Sequence, residues 1–139
     1  MAIIPYLSFN GNAKEVMAYY VEVFGLEPPE IMLFKEMPED PNFPVPEALS
    51  EMVMHGSLRL GEDQLMFSDS LEEMNGKLIV GNNITIMYSI KDLDKLKSIF
   101  DQLARQGQVI MPFAQTFWSQ GFGMVIDQFG IGWQLNFDE

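Results

Sequence analysis

Histidine and cysteine, two side chains often used in acid–base and nucleophilic chemistry, are nearly absent from this sequence. His55 is the single histidine, and there is no cysteine, which excludes disulfides, thiolate metal sites and a cysteine nucleophile. Strand-like alternation along residues 52–60 places His55 on the same side as Val53, Ser57 and Arg59. His55 could act there as an acid, a base or a hydrogen-bond anchor near neutral pH, or it could be a structural residue with satisfied hydrogen bonds.

The charged residues around His55 are a weak basis for an ion site. Glu51 and Asp69 are scattered carboxylates, and a single histidine with such carboxylates makes a poor metal site. Arg59 could pair with an anionic ligand, or it could form a solvated or structural ion pair. No combination of a nucleophile, a base and an orienting group can be named from these residues.

Composition limits the partners of the chain. Among 139 residues, 20 are acidic and 8 are lysine or arginine, so the net charge is −12 and nucleic acid is not expected as a partner. The opening residues MAIIPYL lack a basic segment and a long apolar run, and no later stretch reaches membrane-spanning length, so we expect a soluble cytoplasmic protein without a membrane partner. Eleven methionines and 47% hydrophobic residues favour a homodimer, because one small domain does not bury so much apolar surface comfortably.

The elements that must position these side chains occur twice along the chain, as a strand, a helix and three more strands. In the first half the predicted strands are residues 3–9, 31–37, 52–60 and 64–69, and the helix follows Asn12, which forms a predicted capping box with Glu15. In the second half the predicted strands are residues 84–90, 109–114, 121–126 and 132–137, and the helix follows Asp92 as its N-cap. Residues 72–81 between the halves are predicted as a polar connector.

This internal repeat predicts an α+β fold of two βαβββ modules. Their curved mixed sheets would surround a concave pocket, with the helices on the outer faces. We expect one domain of residues 1–139, with modules at about 1–75 and 80–139. Residues 38–51 hold half of the eight prolines and cannot form a helix interior or a central strand. They are predicted as a long stiff loop, either a lid or interface arm or a disordered insert.

The stretch of residues 115–137 carries both tryptophans and four glycines. Its two predicted strands are joined by a tight turn at residues 127–130. Two aromatic strands joined in this way could wall a ligand pocket, or they could form a glycine-punctuated core hairpin.

Three segments of the chain are similar to a known family: PYLSFNGNAKEVMAYYVEVFG, VMHGSLRLGEDQLMFSDS and QTFWSQGFGMVIDQFGIGWQLNF. They resemble the PhnB-like branch of the vicinal oxygen chelate superfamily, which includes glyoxalases, extradiol dioxygenases and bleomycin-resistance proteins. Paired βαβββ modules are the architecture of that superfamily, and its members point to a homodimer with pockets near the subunit interface. Members of the branch often carry names such as demethylubiquinone methyltransferase. Neither strand-to-helix junction here, at residues 10–12 and 91–92, is a glycine-rich turn that would support that activity.

The resemblance also implies where a metal ion would bind. Metal-dependent members use His and Glu side chains from inner strands of both modules, and the corresponding positions here are Pro5, Thr85 and Gln134. The remaining ligand would fall among residues 66–68, which are Met, Phe and Ser. None of these is a strong ligand for a divalent ion, so we expect no metal and no cofactor.

The concave side is expected to collect the polar and aromatic members of the alternating strands. The predicted pocket residues are Tyr6, Ser8, His55, Ser57, Ser68, Phe113, Trp118, Phe122, Met124 and Gln134. They could line a site for a small organic molecule, or they could simply fill the space between the sheets. Two functions stay open. One is a metal-independent homodimer that binds or sequesters a small, partly aromatic, cationic or neutral molecule. The alternative is a lyase, isomerase or dioxygenase-type enzyme with a rearranged site that uses His55 as its catalytic residue.

Overall fold

Each half of the chain folds as one βαβββ module in the computed structural model, which describes residues 1–42 and 44–138 apart from the side chain of Met74. The chain divides into two compact units, unit 1 (Met1–Leu78) and unit 2 (Ile79–Glu139). Each unit contains one four-stranded mixed sheet. The predicted α+β class and the two-module architecture are confirmed. No helix in the described residues is long and apolar enough to cross a membrane.

Unit 1 has strand order β1-β4-β3-β2, in which the β1–β4 pair is parallel and the other two pairs are antiparallel. Its elements are β1 (Tyr6–Phe9), α1 (Ala13–Phe24), β2 (Glu30–Leu33), β3 (Val53–Leu60), β4 (Asp63–Asp69) and the short helix α2 (Glu72–Asn75). Helix α1 covers one face of the sheet, where Met17 and Tyr20 are fully buried. A Cβ atom added to Gly56 of β3 would lie 2.6 Å from Met17 Sδ, so the helix approaches this strand closely.

Two strand ends of unit 1 differ from the predictions by more than one residue, and the predicted connector contains a helix. The second strand ends at Leu33, and Phe34–Glu36 forms a 3₁₀ turn in place of the predicted continuation to residue 37. The predicted connector contains α2, and the first strand begins at Tyr6 instead of Ile3, which is 95% exposed. At both strand ends the apolar pattern extends beyond the residues that pair with a neighbouring strand, and the strand ends where the pairing ends.

The N-terminus of α1 is held by a distant carboxylate, and the predicted Asn12–Glu15 capping box is wrong because the Asn12 side chain makes no cap hydrogen bond. Asp69 at the end of β4 is buried, and its Oδ1 accepts a hydrogen bond from the Ala13 N–H at 3.0 Å. Its Oδ2 accepts a hydrogen bond from the Val53 N–H at 2.9 Å. Asp69 therefore ties the helix to two strands, and a helix N-terminus favours such a negative charge.

Unit 2 has strand order β5-β8-β7-β6, again with one parallel pair, β5–β8, and two antiparallel pairs. Its elements are β5 (Thr85–Ile90), α3 (Leu93–Ala104), β6 (Gln108–Ala114), β7 (Phe122–Ile126) and β8 (Gly132–Phe137). The predicted N-cap of α3 is confirmed, since Asp92 accepts a hydrogen bond from the Lys95 N–H at 3.0 Å. Leu96 and Ile99 of α3 are buried against the sheet.

The β7–β8 hairpin is organised by Asp127, which is only 3% exposed. Its Oδ1 accepts hydrogen bonds from the backbone N–H groups of Phe129 (2.9 Å) and Ile131 (3.1 Å). Its Oδ2 accepts a hydrogen bond from Trp133 Nε1 at 2.9 Å. Gly130 has a φ of 89°, which a residue with a side chain rarely adopts. The predicted turn at residues 127–130 is therefore confirmed, and its carboxylate fixes the start of β8.

Candidate functional site

One face of each sheet is covered by a helix, and the predicted pocket residues of unit 1 lie on the other face, which we call the helix-free face. Strand register aligns Tyr6 of β1 with Met66 of β4, and Met66 with Ser57 of β3. Ser8 is aligned with Ser68 in the same way. The predicted residues of this face are Tyr6, Ser8, His55, Ser57 and Ser68. The structure therefore brings all five to one face of one sheet.

A polar contact on this face joins Tyr6 and His55. Tyr6 Oη lies 3.3 Å from His55 Nδ1, and the two ring centroids are 5.9 Å apart. Sequence alternation placed both side chains on this face, but it could not show that they meet, because β4 lies between their strands. The contact gives the single histidine of the chain a defined orientation.

A bulge in β3 determines which residues lie on the same face of the sheet as His55. The β2–β3 register shifts between Met32 and Leu33, so that Met32 pairs with His55 while Leu33 pairs with Val53. Val53, which the alternation predicted on the His55 side, is instead fully buried. Arg59 is exposed and makes no ion pair with a residue that the structure describes.

The helix-free face of unit 2 carries paired neutral side chains. Gln134 Nε2 donates a hydrogen bond to Thr85 Oγ1 at 2.9 Å, and Asn136 Nδ2 donates one to Ser89 Oγ at 3.1 Å. Register aligns Met124 of β7 with Gln134, so Met124 also lies on this face. Ser89 and Asn136 were missed as pocket candidates, although the same alternation that indicated Gln134 would have found them.

The remaining predicted pocket residues of unit 2 divide between the two faces. Phe122 is aligned with Asn136, and the Trp118 ring lies 5.3 Å from the Phe122 ring, so both belong with the helix-free face. Phe113 does not join them. Its ring lies 5.6 Å from that of Phe100 of α3, on the helix-covered face. Register irregularities along β6 shift its alternation, which explains why the sequence placed Phe113 on the wrong side.

A small cavity opens at one end of the unit 2 sheet. Its volume is about 130 Å³, and its lining includes the side chains of Ile84, Thr85, Ile110 and Met124 together with the amide residue Asn82. The lining is mainly apolar with a few hydrogen-bonding groups, as small-molecule sites usually are. Because Thr85 lines this cavity, the cavity is adjacent to the Thr85–Gln134 pair.

The donor groups do not fit the divalent ion that the resemblance would place here. The Gln134 amide and the Thr85 hydroxyl are neutral and bonded to each other, and such groups bind transition metals weakly. Pro5 offers only its carbonyl oxygen, which already accepts a hydrogen bond from the Met66 N–H at 3.0 Å. Among the residues that the structure describes, no group of three His, Cys, Asp or Glu side chains could hold a metal ion.

Glu51 and Asp69, the two carboxylates that could have joined His55 in a metal site, have structural partners instead. Both oxygens of Asp69 accept backbone hydrogen bonds, as described above. Glu51 forms an ion pair with Lys35 at 2.7 Å, which lowers the pKa of Glu51 and raises that of Lys35. This pair, with the Lys35 N–H to Ser50 carbonyl bond of 3.0 Å, joins the two ends of the loop of residues 38–51. Within that predicted loop, Phe43 lies outside the described residues, and Glu47–Leu49 forms a 3₁₀ turn.

Known proteins resemble this chain along nearly its whole length. The model of the family described as 3-demethylubiquinone-9 3-methyltransferase matches residues 1–136. Protein YjdN of Escherichia coli (strain K12) is 32% identical over 142 residues, which cover 98% of this chain and 95% of that protein.

Solved structures also resemble this chain along nearly its whole length. Protein PA1353 from Pseudomonas aeruginosa has a TM-score of 0.84 at 32% identity, with 99% of this chain and 98% of that chain covered. A glyoxalase/bleomycin resistance protein/dioxygenase family enzyme from Burkholderia phytofirmans PsJN has a TM-score of 0.64 at 12% identity, with 96% and 95% covered, and so shares the fold. The predicted PhnB-like resemblance is thus confirmed, and the chain belongs to the family described as 3-demethylubiquinone-9 3-methyltransferase.

Proposed function

We propose that this chain forms a metal-independent homodimer that binds or sequesters a small, partly aromatic organic molecule on the helix-free faces of its sheets. The observation that carries the proposal is the Thr85–Gln134 pair, 2.9 Å apart, at positions where the resemblance would place metal ligands. An amide and a hydroxyl bind a divalent ion weakly, but they offer hydrogen bonds to an organic ligand.

Thioether and aromatic side chains on the same faces support an organic ligand. Met32, which is 45% exposed, lies on the helix-free face of unit 1. Met124, Phe122 and Trp118 lie on that of unit 2. Methionine adapts its shape to planar apolar molecules, and aromatic rings stack on them. A ligand held in this way needs no metal ion.

An uncharged apolar surface supports self-association. Residues 106–126 contain no charged side chain although the net charge of the chain is −12. Val109, Ile110 and Phe117 within this stretch are exposed, Phe117 by 96%. Repulsion between two acidic copies is weakest where neither surface carries charge, and an exposed apolar patch indicates an interaction site. Ile110→Glu should therefore convert a dimer into a monomer in sedimentation velocity, whereas Ile3→Glu should not.

Metal analysis with calorimetric titration tests metal independence, and a thermal-shift screen tests ligand binding. We expect no stoichiometric metal in the purified protein and no micromolar binding of Ni²⁺, Mn²⁺, Fe²⁺ or Zn²⁺. A bound ligand should raise the unfolding temperature by mass action. One tightly held ion per subunit would refute metal independence. A broad panel of aromatic cations and neutral metabolites without any shift would refute the binding role.

The Tyr6–His55 contact favours one alternative function, that of a lyase, isomerase or dioxygenase-type enzyme with His55 as the catalytic group. In that case His55→Ala should abolish turnover of a superfamily substrate while leaving the thermal unfolding transition in place. Turnover equal to that of the unmodified protein would exclude the role of His55.

The methyltransferase activity named in the family description has less support from this chain. Cofactors that contain an adenosine group usually bind where a glycine-rich turn leads a parallel strand into a helix. The two strand-to-helix junctions here contain one glycine, Gly11, and each sheet has a single parallel pair. Binding of S-adenosylmethionine in calorimetry would overturn this assignment.

A further inference from the structure

We propose that Tyr6 and His55 together form a fixed hydrogen-bond donor that selects neutral aromatic ligands with an accepting oxygen, such as aryl ketones. This inference rests on the proposed function, because it names the chemical class of the ligand and excludes the cationic ligands that the net charge would favour. The Tyr6–His55 contact and the side chains around it carry the argument.

The two residues reach each other across a strand. Tyr6 belongs to β1 and His55 to β3, and β4 lies between them, so their backbones are separated by about 10 Å, or two strand spacings. Even so, Tyr6 Oη and His55 Nδ1 are only 3.3 Å apart. Both side chains must therefore extend over β4 toward one another. The Tyr6 hydroxyl therefore contacts the imidazole from the β1 side of the sheet.

The chemistry of the pair determines which ring nitrogen carries the proton. A phenolic O–H is a stronger acid than a neutral imidazole N–H, so Tyr6 donates and His55 Nδ1 accepts. The neutral ring then has its proton on Nε2. Within the described part of unit 1, no group accepts a hydrogen bond from Nε2. Nε2 is the ring nitrogen farther from the backbone, and its N–H is free to donate to a ligand.

The neighbours of His55 suit an aromatic ring without a charge. Met32 lies directly across from His55, and Met66 lies between Tyr6 and Ser57 in register. Thioether groups pack well against aromatic rings. The charged side chains that accompany this face are Arg59 on β3 and Glu30 on β2, which have opposite signs and are both exposed. The face therefore has no net charge of its own, in contrast to the net charge of −12 of the chain.

Three probes with the same carbon skeleton test the selection. Acetophenone has an accepting oxygen, ethylbenzene lacks it, and 1-phenylethylamine is a cation near neutral pH. Because the chain has one histidine, a long-range ¹H–¹⁵N spectrum reports on His55 alone. In alkaline buffer we expect the Nε2–H tautomer, and acetophenone should shift its signals and bind most tightly of the three.

Variants of the pair separate a donor role from general packing. Tyr6→Phe should weaken acetophenone binding roughly fivefold, as expected for the loss of one hydrogen bond, while leaving ethylbenzene binding unchanged. His55→Gln, which keeps an N–H donor, should retain more acetophenone binding than His55→Ala. Tyr19→Phe is the matched control, because it removes the same hydroxyl from α1 on the other side of the sheet.

The outcomes distinguish this inference from the proposed function. A dominant Nδ1–H tautomer, tighter binding of the cation, or equal binding of acetophenone and ethylbenzene would overturn the donor role. So would acetophenone binding that Tyr6→Phe leaves unchanged. Each of these results still allows a small-molecule binding protein. If none of the three probes binds while other molecules raise the unfolding temperature, the ligand class is wrong and the binding function stands. If no molecule binds at all, the proposed function itself fails.

Discussion

Replacing Asp127 with alanine should unfold unit 2 at much lower denaturant concentration. Asp127 is buried and accepts hydrogen bonds from the N–H groups of Phe129 and Ile131 and from the Trp133 indole, at 2.9, 3.1 and 2.9 Å. Alanine keeps the backbone but leaves these three donors without the carboxylate. The hairpin that carries Met124 and Gln134 onto the helix-free face depends on this carboxylate.

The size of the effect follows from the number and kind of bonds. A hydrogen bond to a charged group contributes about 1.5–3 kcal/mol, and a buried donor left unpaired costs about 1–3 kcal/mol. The free-energy contributions of the three bonds do not simply add, because water can reach part of an opened turn. We therefore expect the free energy of unfolding to fall by about 3–5 kcal/mol in total. With a urea dependence of about 2 kcal/mol per molar, the unfolding midpoint should fall by about 1.5–2.5 M. Asp127→Asn keeps the shape and one acceptor and should cost less.

Tryptophan fluorescence during urea unfolding measures this change within unit 2, because both tryptophans lie in that unit. Trp133 is buried and Trp118 is 50% exposed, so Trp118→Phe provides a background in which the buried ring alone reports. Asp138→Ala is the matched control, because it removes an exposed carboxylate from the same unit. A loss below about 1 kcal/mol for Asp127→Ala, or a loss equal to that of Asp138→Ala, would refute the reasoning.

Two further predictions concern the close backbone contacts of Gly107 and the pKa of the Tyr88 phenol. A Cβ atom at Gly107 would meet the carbonyl oxygens of Ile126 and Leu103, the second at 2.7 Å, so Gly107→Ala should destabilise unit 2 by about 2–4 kcal/mol in urea unfolding. Gly81→Ala, whose Cβ would only touch a side chain at 3.6 Å, should change stability by less than about 0.5 kcal/mol, and equal effects would contradict the explanation. Burial raises the pKa of the Tyr88 phenol above its ordinary value of 10.0, so folding is favoured below that pH and stability falls as the pH rises through the folded pKa. Urea unfolding at about pH 8 and about pH 11 should therefore show a smaller alkaline loss for Tyr88→Phe than for the unmodified chain, and an identical loss would contradict the assignment.

Local sequence patterns predicted most of the elements, because short-range physics determines them. The apolar stripes of α1 and α3, the Asp92 cap and the turn at residues 127–130 depend on residues close together in the chain. Alternation also assigned five pocket candidates of unit 1 to one face, since side chains on a strand point alternately to opposite sides. The repeat of the βαβββ pattern was sufficient to predict two modules.

Only the tertiary structure decided which distant side chains meet. Asp69 replaces the predicted local cap of α1 from 56 residues away, and Tyr6 reaches His55 from 49 residues away. Gln134 finds Thr85 at the same separation of 49 residues. Irregular pairing along β3 and β6 moved Val53 and Phe113 to the faces opposite those that alternation predicted. Bulges and long-range hydrogen bonds depend on how each strand aligns with its neighbours in the sheet. Short segments of sequence do not determine that alignment.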